Sequence, residues 1–127
     1  KMKWKCGNAF DIMRKMDSDR ERFDLVIMDP PPFSPAKGQV ESARRGYKEL
    51  AVRGFNRIKD GGHMVFLSCS HAFSREMLLS VLNDAARDAC VSCRIALEIH
   101  QPIDHPALSS VPETDYLKGF VLGVRDQ

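Results

Sequence analysis

Two stretches of this chain are apolar without interruption: Leu25-Val26-Ile27-Met28 and Met64-Val65-Phe66-Leu67. Neither alternates with polar residues, which is the pattern of a strand covered on both faces in a parallel sheet. Between them Val40, Ala43, Tyr47, Leu50, Ala51, Phe55 and Ile58 recur at helical spacing. That spacing predicts a helix over 40–59, stopped by Gly61-Gly62. After the second run, Ser74 is placed to cap a helix whose stripe is Met77, Leu78, Val81, Leu82, Ala85 and Ala89. Strand, helix, strand, helix in that rhythm means parallel βαβ units.

The two ends of the chain read differently. Met2, Trp4 and Cys6 alternate with lysines, a short half-buried strand ending at Gly7. Asn8 is placed to cap a short helix that turns Phe10 and Met13 to the core. Residues 17–22 form a charged turn, and 34–39 a loop rich in Pro, Gly and Lys. Toward the far end Ile95, Leu97 and Ile99 alternate with polar residues, and 116–124 is a further strand. Two strands joined without a helix pair antiparallel or cross over. The segment 100–114 between them is long for a structureless loop, and its Asp104-His105-Pro106 and Pro112-Glu113 favour a working one. The expected fold is one α/β domain, a mostly parallel sheet with an antiparallel carboxy-terminal strand.

Composition narrows this only a little. Hydrophobic residues make up 43% and charged residues 28%, ordinary for a globular domain, and a net charge of +2 is too small to argue for nucleic acid. No apolar run approaches the ~18 residues of a membrane span and no signal-peptide pattern opens the chain. A cytoplasmic location without a membrane partner is therefore expected. Four cysteines at irregular spacing suit reduced thiols. Cys90 and Cys93 form one Cys-x-x-Cys, but no second pair completes a zinc site, so no metal is expected.

Candidate chemistry gathers where the strands end. Asp29 follows the first apolar run at once, and Pro30, Pro31 and Pro32 stiffen the exit. Ligands of open α/β sheets bind at that edge, although a merely solvated carboxylate is the plain alternative. The second run ends in Ser68-Cys69-Ser70-His71. If the strands are neighbours, carboxylate and thiol share one rim. A cysteine at a loop junction, near basic groups and the amino end of a helix, is a usable nucleophile; the alternative is a small buried hydrophobe. Arg44, Arg45 and Lys48 sit early on the predicted helix, either as phosphate contacts or as a solvated face.

Several motifs come in a characteristic order: Gly7-Asn8-Ala9-Phe10, Asp29-Pro30-Pro31-Pro32-Phe33, Gly46-Tyr47-Lys48, Gly61-Gly62 and Ser68-Cys69-Ser70-His71. Asp104-His105-Pro106, Pro112-Glu113 and Tyr116-Leu117-Lys118-Gly119 complete the series. Together they resemble the class I S-adenosylmethionine-dependent methyltransferases that make 5-methylcytosine in large-subunit (23S) ribosomal RNA. The resemblance runs the length of the chain and implies a partial Rossmann-like class I methyltransferase fold. It implies S-adenosylmethionine as cofactor, held here by Asn8, Ala9, Phe10, Asp29 and Pro30, with Asn8 where the family usually has Asp. It implies Cys69 as nucleophile on cytosine C6 and Asp29 as the group that meets N3. The target base must be unpaired or flipped out. Pro31, Phe33, Arg44, Tyr47, Lys48, Ser68, His71, His105 and Glu113 are the implied substrate contacts, Phe33 and Tyr47 either stacking on a base or packing in the core.

The same family carries an amino-terminal RNA-binding domain of the PUA type, then a strand and glycine-rich turn, then an acidic residue for the cofactor ribose. Neither the glycine turn nor the ribose acid is present here. The chain is expected to be the carboxy-terminal part of a methyltransferase domain, inactive alone and with little affinity for the cofactor. Its strand at 2–6 is expected to be displaced, because the family's sheet places two strands between it and 24–29. Ribosomal RNA is the expected partner, and a homodimer is compatible with it. Two other readings stand beside this one: a methyltransferase acting on a base nitrogen or small molecule without a thiol, and a non-catalytic module binding RNA or a partner.

Overall fold

The computed structural model describes residues 2–17, 21–33 and 40–127. The expected turn loses 18–20 and the expected loop loses 34–39 from that description. Helix α1 spans Ala9–Met16, strand β1 Phe23–Met28, α2 Val40–Phe55, β2 Ile58–Ser68, α3 Arg75–Asp88, β3 Val91–Ile99 and β4 Lys118–Asp126. The four strands form one sheet in the order β1-β2-β4-β3. β1 runs parallel to β2, while β4 enters between β2 and β3, antiparallel to both. The α/β class, the parallel pair and the antiparallel last strand are as the sequence implies.

The core lies between one face of this sheet and the pair α2 and α3. Met28, Met64, Phe66, Phe120, Leu122 and Val124 point inward from the strands. Tyr47, Leu50, Ala51 and Phe55 of α2, and Leu78, Val81, Leu82 and Ala85 of α3, close over them. Both predicted caps form. The Asn8 Oδ1 accepts from the Phe10 N–H at 2.9 Å, and the Ser74 Oγ accepts from the Met77 N–H at 3.2 Å. Each satisfies an amide that a helix start leaves without a partner.

Three expectations are corrected. Residues 2–6 form no strand, and Trp4 is 87% exposed. A strand needs an edge to pair with, and no strand of this sheet takes 2–6 as its neighbour, in keeping with the displacement that the resemblance implies. β1 is buried on one face only: Leu25 and Ile27 are 51% and 61% exposed on the face away from the helices. The predicted helix over 40–59 ends at Phe55, and Gly61-Gly62 lies inside β2 rather than beyond a helix. There the β1–β2 register slips, and Gly61 takes φ +79°, a conformation that glycine adopts without strain. A side chain on Gly62 would meet the Asp24 carbonyl oxygen at 2.9 Å, so the pair is needed for a bulge. Ile58, placed on the helical stripe by spacing, is instead the first buried residue of β2.

Candidate active site

Because β1 and β2 are adjacent and parallel, with Met28 level with Phe66, both end at the same rim of the sheet. Asp29 leaves β1 exposed, and Cys69 leaves β2 half-buried. The carboxylate and the thiol that the sequence picks out therefore leave adjacent strands at one rim, and the thiol is not sealed in the interior.

On the β1 flank, the amino end of α1 meets the Asp29-Pro30-Pro31 exit. Asn8, Ala9, Phe10, Ile27, Met28, Asp29, Pro30, Pro31, Phe33 and Leu50 line a cleft of about 370 Å³, within the range of small-molecule sites. All five residues expected to hold the cofactor share this cleft, with two of the expected substrate contacts. Its walls are mostly apolar, with Asn8 and Asp29 as its amide and carboxylate. Since the Asn8 Oδ1 is committed to the helix cap, its amide N–H group is the part left to meet a ligand. The Phe33 ring packs edge-on against Tyr47 at 4.8 Å between centroids, and lies against the backbone at Gly46. It stays half-exposed in the cleft wall.

On the β2 flank, Cys69 sits in a turn tied from two sides. Ser68 is fully buried; its Oγ accepts from the Ser70 N–H at 3.3 Å and lies 3.0 Å from the Tyr47 Oη. From the other side Lys118, which pairs with Ser68 across the β2–β4 ladder, donates its Nζ to the carbonyls of Ser70 at 2.7 Å and Phe73 at 2.9 Å. Burial pulls the Lys118 ammonium below its ordinary pKa, while the nearby Asp115 and Cys69 act in the opposite direction. His71 lies beside Tyr116, 5.5 Å between rings, so the β3–β4 loop reaches this turn.

That loop, which carries His105 and Glu113, opens on the same rim. Gln101 organises it, accepting from the N–H groups of Tyr116 at 3.2 Å and Leu117 at 3.0 Å and donating to the Thr114 carbonyl. His105 and Glu113 are both exposed, Glu113 on a single 3-10 turn over Pro112–Thr114. Next to it Arg75, the first residue of α3, forms a two-pronged ion pair with Glu98 and lies over the Phe120 ring. The Arg75 guanidinium holds the Glu98 carboxyl below its ordinary pKa.

Four substrate expectations fare differently from the rest. Ser68 is sealed in the interior with its hydroxyl engaged by Tyr47 and Ser70, so it offers no atom to a substrate. Tyr47 is completely buried with its ring among Phe33, Phe66 and Phe73, so the core-packing alternative describes it and it offers no face to a base. Arg44 pairs with Asp84 at 2.6 Å and Lys48 with Asp88 at 2.8 Å, tying α2 to α3. Their charges are already matched within the protein, whereas Arg45 is exposed. Among the described residues no group of His, Cys, Asp and Glu is placed to hold a metal, and no helix is long and apolar enough to cross a membrane. Sequence reasoning missed Lys118 as a tie on the Cys69 turn. Its signal was there: Lys118, Phe120, Leu122 and Val124 fall on one side of a period-2 strand, so a lysine opens a core-facing stripe.

No family model matches the chain. Among curated proteins, it is 37% identical over 119 residues to the ribosomal RNA large subunit methyltransferase I of Alteromonas mediterranea, covering 94% of this chain and 30% of that one. To the protein of the same name from Erwinia tasmaniensis it is 38% identical over 117 residues, covering 92% and 30%. The chain thus spans about a third of the length of these relatives. Among solved structures, a Streptococcus mutans chain described as a candidate S-adenosylmethionine-dependent methyltransferase superposes with a TM-score of 0.70 at 17% identity, covering 92% of this chain and 29% of that one. M1.HpyAVI, solved with S-adenosylmethionine, gives 0.57 at 18% identity, covering 95% and 52%. At such identities the likeness is one of fold: this chain has the architecture of part of a Rossmann-like class I methyltransferase domain, and its homologues carry the name of ribosomal RNA methyltransferases.

Proposed function

We propose that this chain is the part of an S-adenosylmethionine-dependent ribosomal RNA methyltransferase that binds the cofactor's adenine side and methylates cytosine at C5 through Cys69. The observation that carries the reading is the shared rim, where Asp29 and Cys69 leave adjacent parallel strands with Asp29 exposed and Cys69 half-buried. The relatives' name supports the RNA substrate.

Cytosine C5 is a poor nucleophile, and a thiolate corrects that. Attack of the Cys69 Sγ on C6 forms a sulfur–carbon bond and pushes an electron pair into the ring, which Asp29 stabilises by donating a carboxyl proton to N3, as a hydrogen bond or by full transfer. C5 then reacts as an enamine-like carbon. When bound, S-adenosylmethionine supplies the electrophilic methyl group. Loss of the C5 proton to a base restores the double bond and expels the Cys69 thiolate. The β1 cleft fits the cofactor's adenine in size and lining, with the Asn8 amide N–H group available to a ring nitrogen. Phe33, half-exposed in the same wall, is the surface that remains for stacking on the flipped base. His71, His105 and Glu113 stand around the rim for polar contacts.

The test is product analysis with the complete gene product that contains this chain. Ribosomal RNA should gain 5-methylcytidine, and Cys69→Ala should lower turnover by at least about a thousandfold. A second reading draws on the Asp29-Pro30-Pro31 exit, which suits nitrogen methylation without a thiol. Full turnover by Cys69→Ala with a nitrogen-methylated product would establish that reading instead.

A further inference from the structure

The turn that bears Cys69 is closed by one backbone bond, from the Phe73 N–H to the Ser70 carbonyl at 3.3 Å, and anchored by the buried Phe73 ring against Tyr47. β2 ends at Ser68 and α3 does not start until Arg75, so 69–74 has neither sheet ladder nor helix to fix it. Within it, the one tertiary tie to the backbone carbonyls comes from a charged side chain among the described residues. Lys118 lies opposite Ser68, and its ammonium reaches past the end of the ladder to the Ser70 and Phe73 carbonyls. An ammonium has three N–H donors, of which these carbonyls take two. Charge-assisted bonds of this kind are stronger than neutral ones, and they are made here in a partly buried place.

The cost of that placement is visible. A lysine on a core-facing stripe gives up hydration, and burial is the largest influence on its ionisation. An apolar residue would continue the stripe of Phe120, Leu122 and Val124 with no such penalty. What the lysine obtains is a clamp whose two ends straddle the α3 approach, with Cys69 one residue before the first clamped carbonyl. Tyr47 secures the other neighbour of Cys69 through the buried Ser68 Oγ. The residue between is thereby fixed in its backbone while it stays open to solvent.

We propose that Lys118 is a positioning residue for Cys69: its ammonium clamps the Ser70 and Phe73 carbonyls, and so sets the turn from which the thiol attacks. This rests on the reading of Cys69 as nucleophile. Lys118 touches no reacting atom, and its contribution is to the geometry of attack, where a misplacement of about 1 Å costs on the order of a hundredfold in rate. Methionine keeps the length of the side chain and deletes the clamp. Arginine keeps the charge and has donors enough for both carbonyls.

The experiment compares Lys118→Met, Lys118→Arg and Cys69→Ala in the complete gene product, with steady-state kinetics on ribosomal RNA and a thermal melt of each. Lys118→Met should lower kcat by about a hundredfold and leave KM for RNA and cofactor within about twofold, since the binding cleft lies on the other flank. Lys118→Arg should restore kcat to within about tenfold of the parent, a rescue that a role in packing alone does not give. A parent-like kcat in Lys118→Met overturns the proposal, as does a folded Lys118→Arg no faster than Lys118→Met. If Lys118→Met does not fold, Lys118→Leu takes its place and is held to the same two outcomes. Loss of activity in Cys69→Ala alongside a parent-like Lys118→Met defeats only the clamp. Retention of activity in Cys69→Ala defeats the nucleophile on which the clamp depends.

Discussion

The two flanks of the rim are built on opposite principles. On the β1 side the cleft is apolar and open, walled by an edge strand, a proline exit and the first turn of a short helix. On the β2 side the Cys69 turn is held by hydrogen bonds to a buried tyrosine and a partly buried lysine. Binding a flat ring calls for apolar surface and a few polar groups at its edge. Delivering a nucleophile calls for fixed geometry. The contrast teaches that the flank proposed for catalysis draws its precision from interior strands, while the flank proposed for the cofactor relies on elements at the margin of this sheet.

Substitutions on the two flanks should separate along that line. Asp29 stands where they meet, and after Cys69 itself Asp29→Asn should cost the most, about 3–4 kcal/mol of transition-state stabilisation, read as a kcat at least a hundredfold lower. If cofactor affinity fell as far as kcat, Asp29 would belong to the binding flank alone. Tyr47→Phe removes the hydroxyl that meets Ser68 in the core, so urea unfolding should show a loss of about 1–1.5 kcal/mol; no loss would mean that the Cys69 turn does not depend on that bond. Asn8→Ala deletes the α1 cap and should cost about 1 kcal/mol. That loss should appear as faster hydrogen exchange in α1 with α2 and α3 unchanged, because the margin can loosen without the interior.

The remaining effect concerns pH. Burial pushes the Cys93 thiol up to about 11 from an ordinary value of 9.0. The folded chain therefore keeps that proton over a range where the unfolded chain loses it, and stability should decline as pH rises from about 9 toward 11. Cys93→Ala should flatten the decline in a pH series of thermal melts, and an unchanged slope would assign it to other groups.

How much of this was legible in the chain depends on whether the cause was local. Asn8 and Ser74 could be read as caps because the hydroxyl or amide and the amide it satisfies lie two or three residues apart. The two apolar runs gave the parallel pair, and with it the shared rim of Asp29 and Cys69. Gly61-Gly62 was misread because a helix stop and a strand bulge ask the same freedom of glycine, and only the slipped register with β1 tells them apart. Residues 2–6 alternate like a strand, but pairing is a property of two segments and no alternation can supply the second. For Tyr47, helical spacing had already placed it on the apolar stripe; the stacking role came from expected chemistry and gave way to burial. The phosphate role of Arg44 and Lys48 faded for a nonlocal reason, since Asp84 and Asp88 lie forty residues away on α3. Lys118 was visible as an oddity on its stripe, although its carbonyl partners emerge only once β4 lies beside β2.

The central claim is that Cys69 attacks the ring whose N3 meets Asp29. RNA bearing 5-fluorocytidine at the target tests it most directly, because fluorine cannot leave C5 as a proton does and the sulfur–carbon bond is trapped. Incubation with the complete gene product and cofactor, followed by peptide mass spectrometry, should find methylated fluorocytidine attached to the peptide that contains Cys69. Cys69→Ala should form no adduct. An adduct on any other residue, or an equal yield of adduct from Cys69→Ala, would contradict the account.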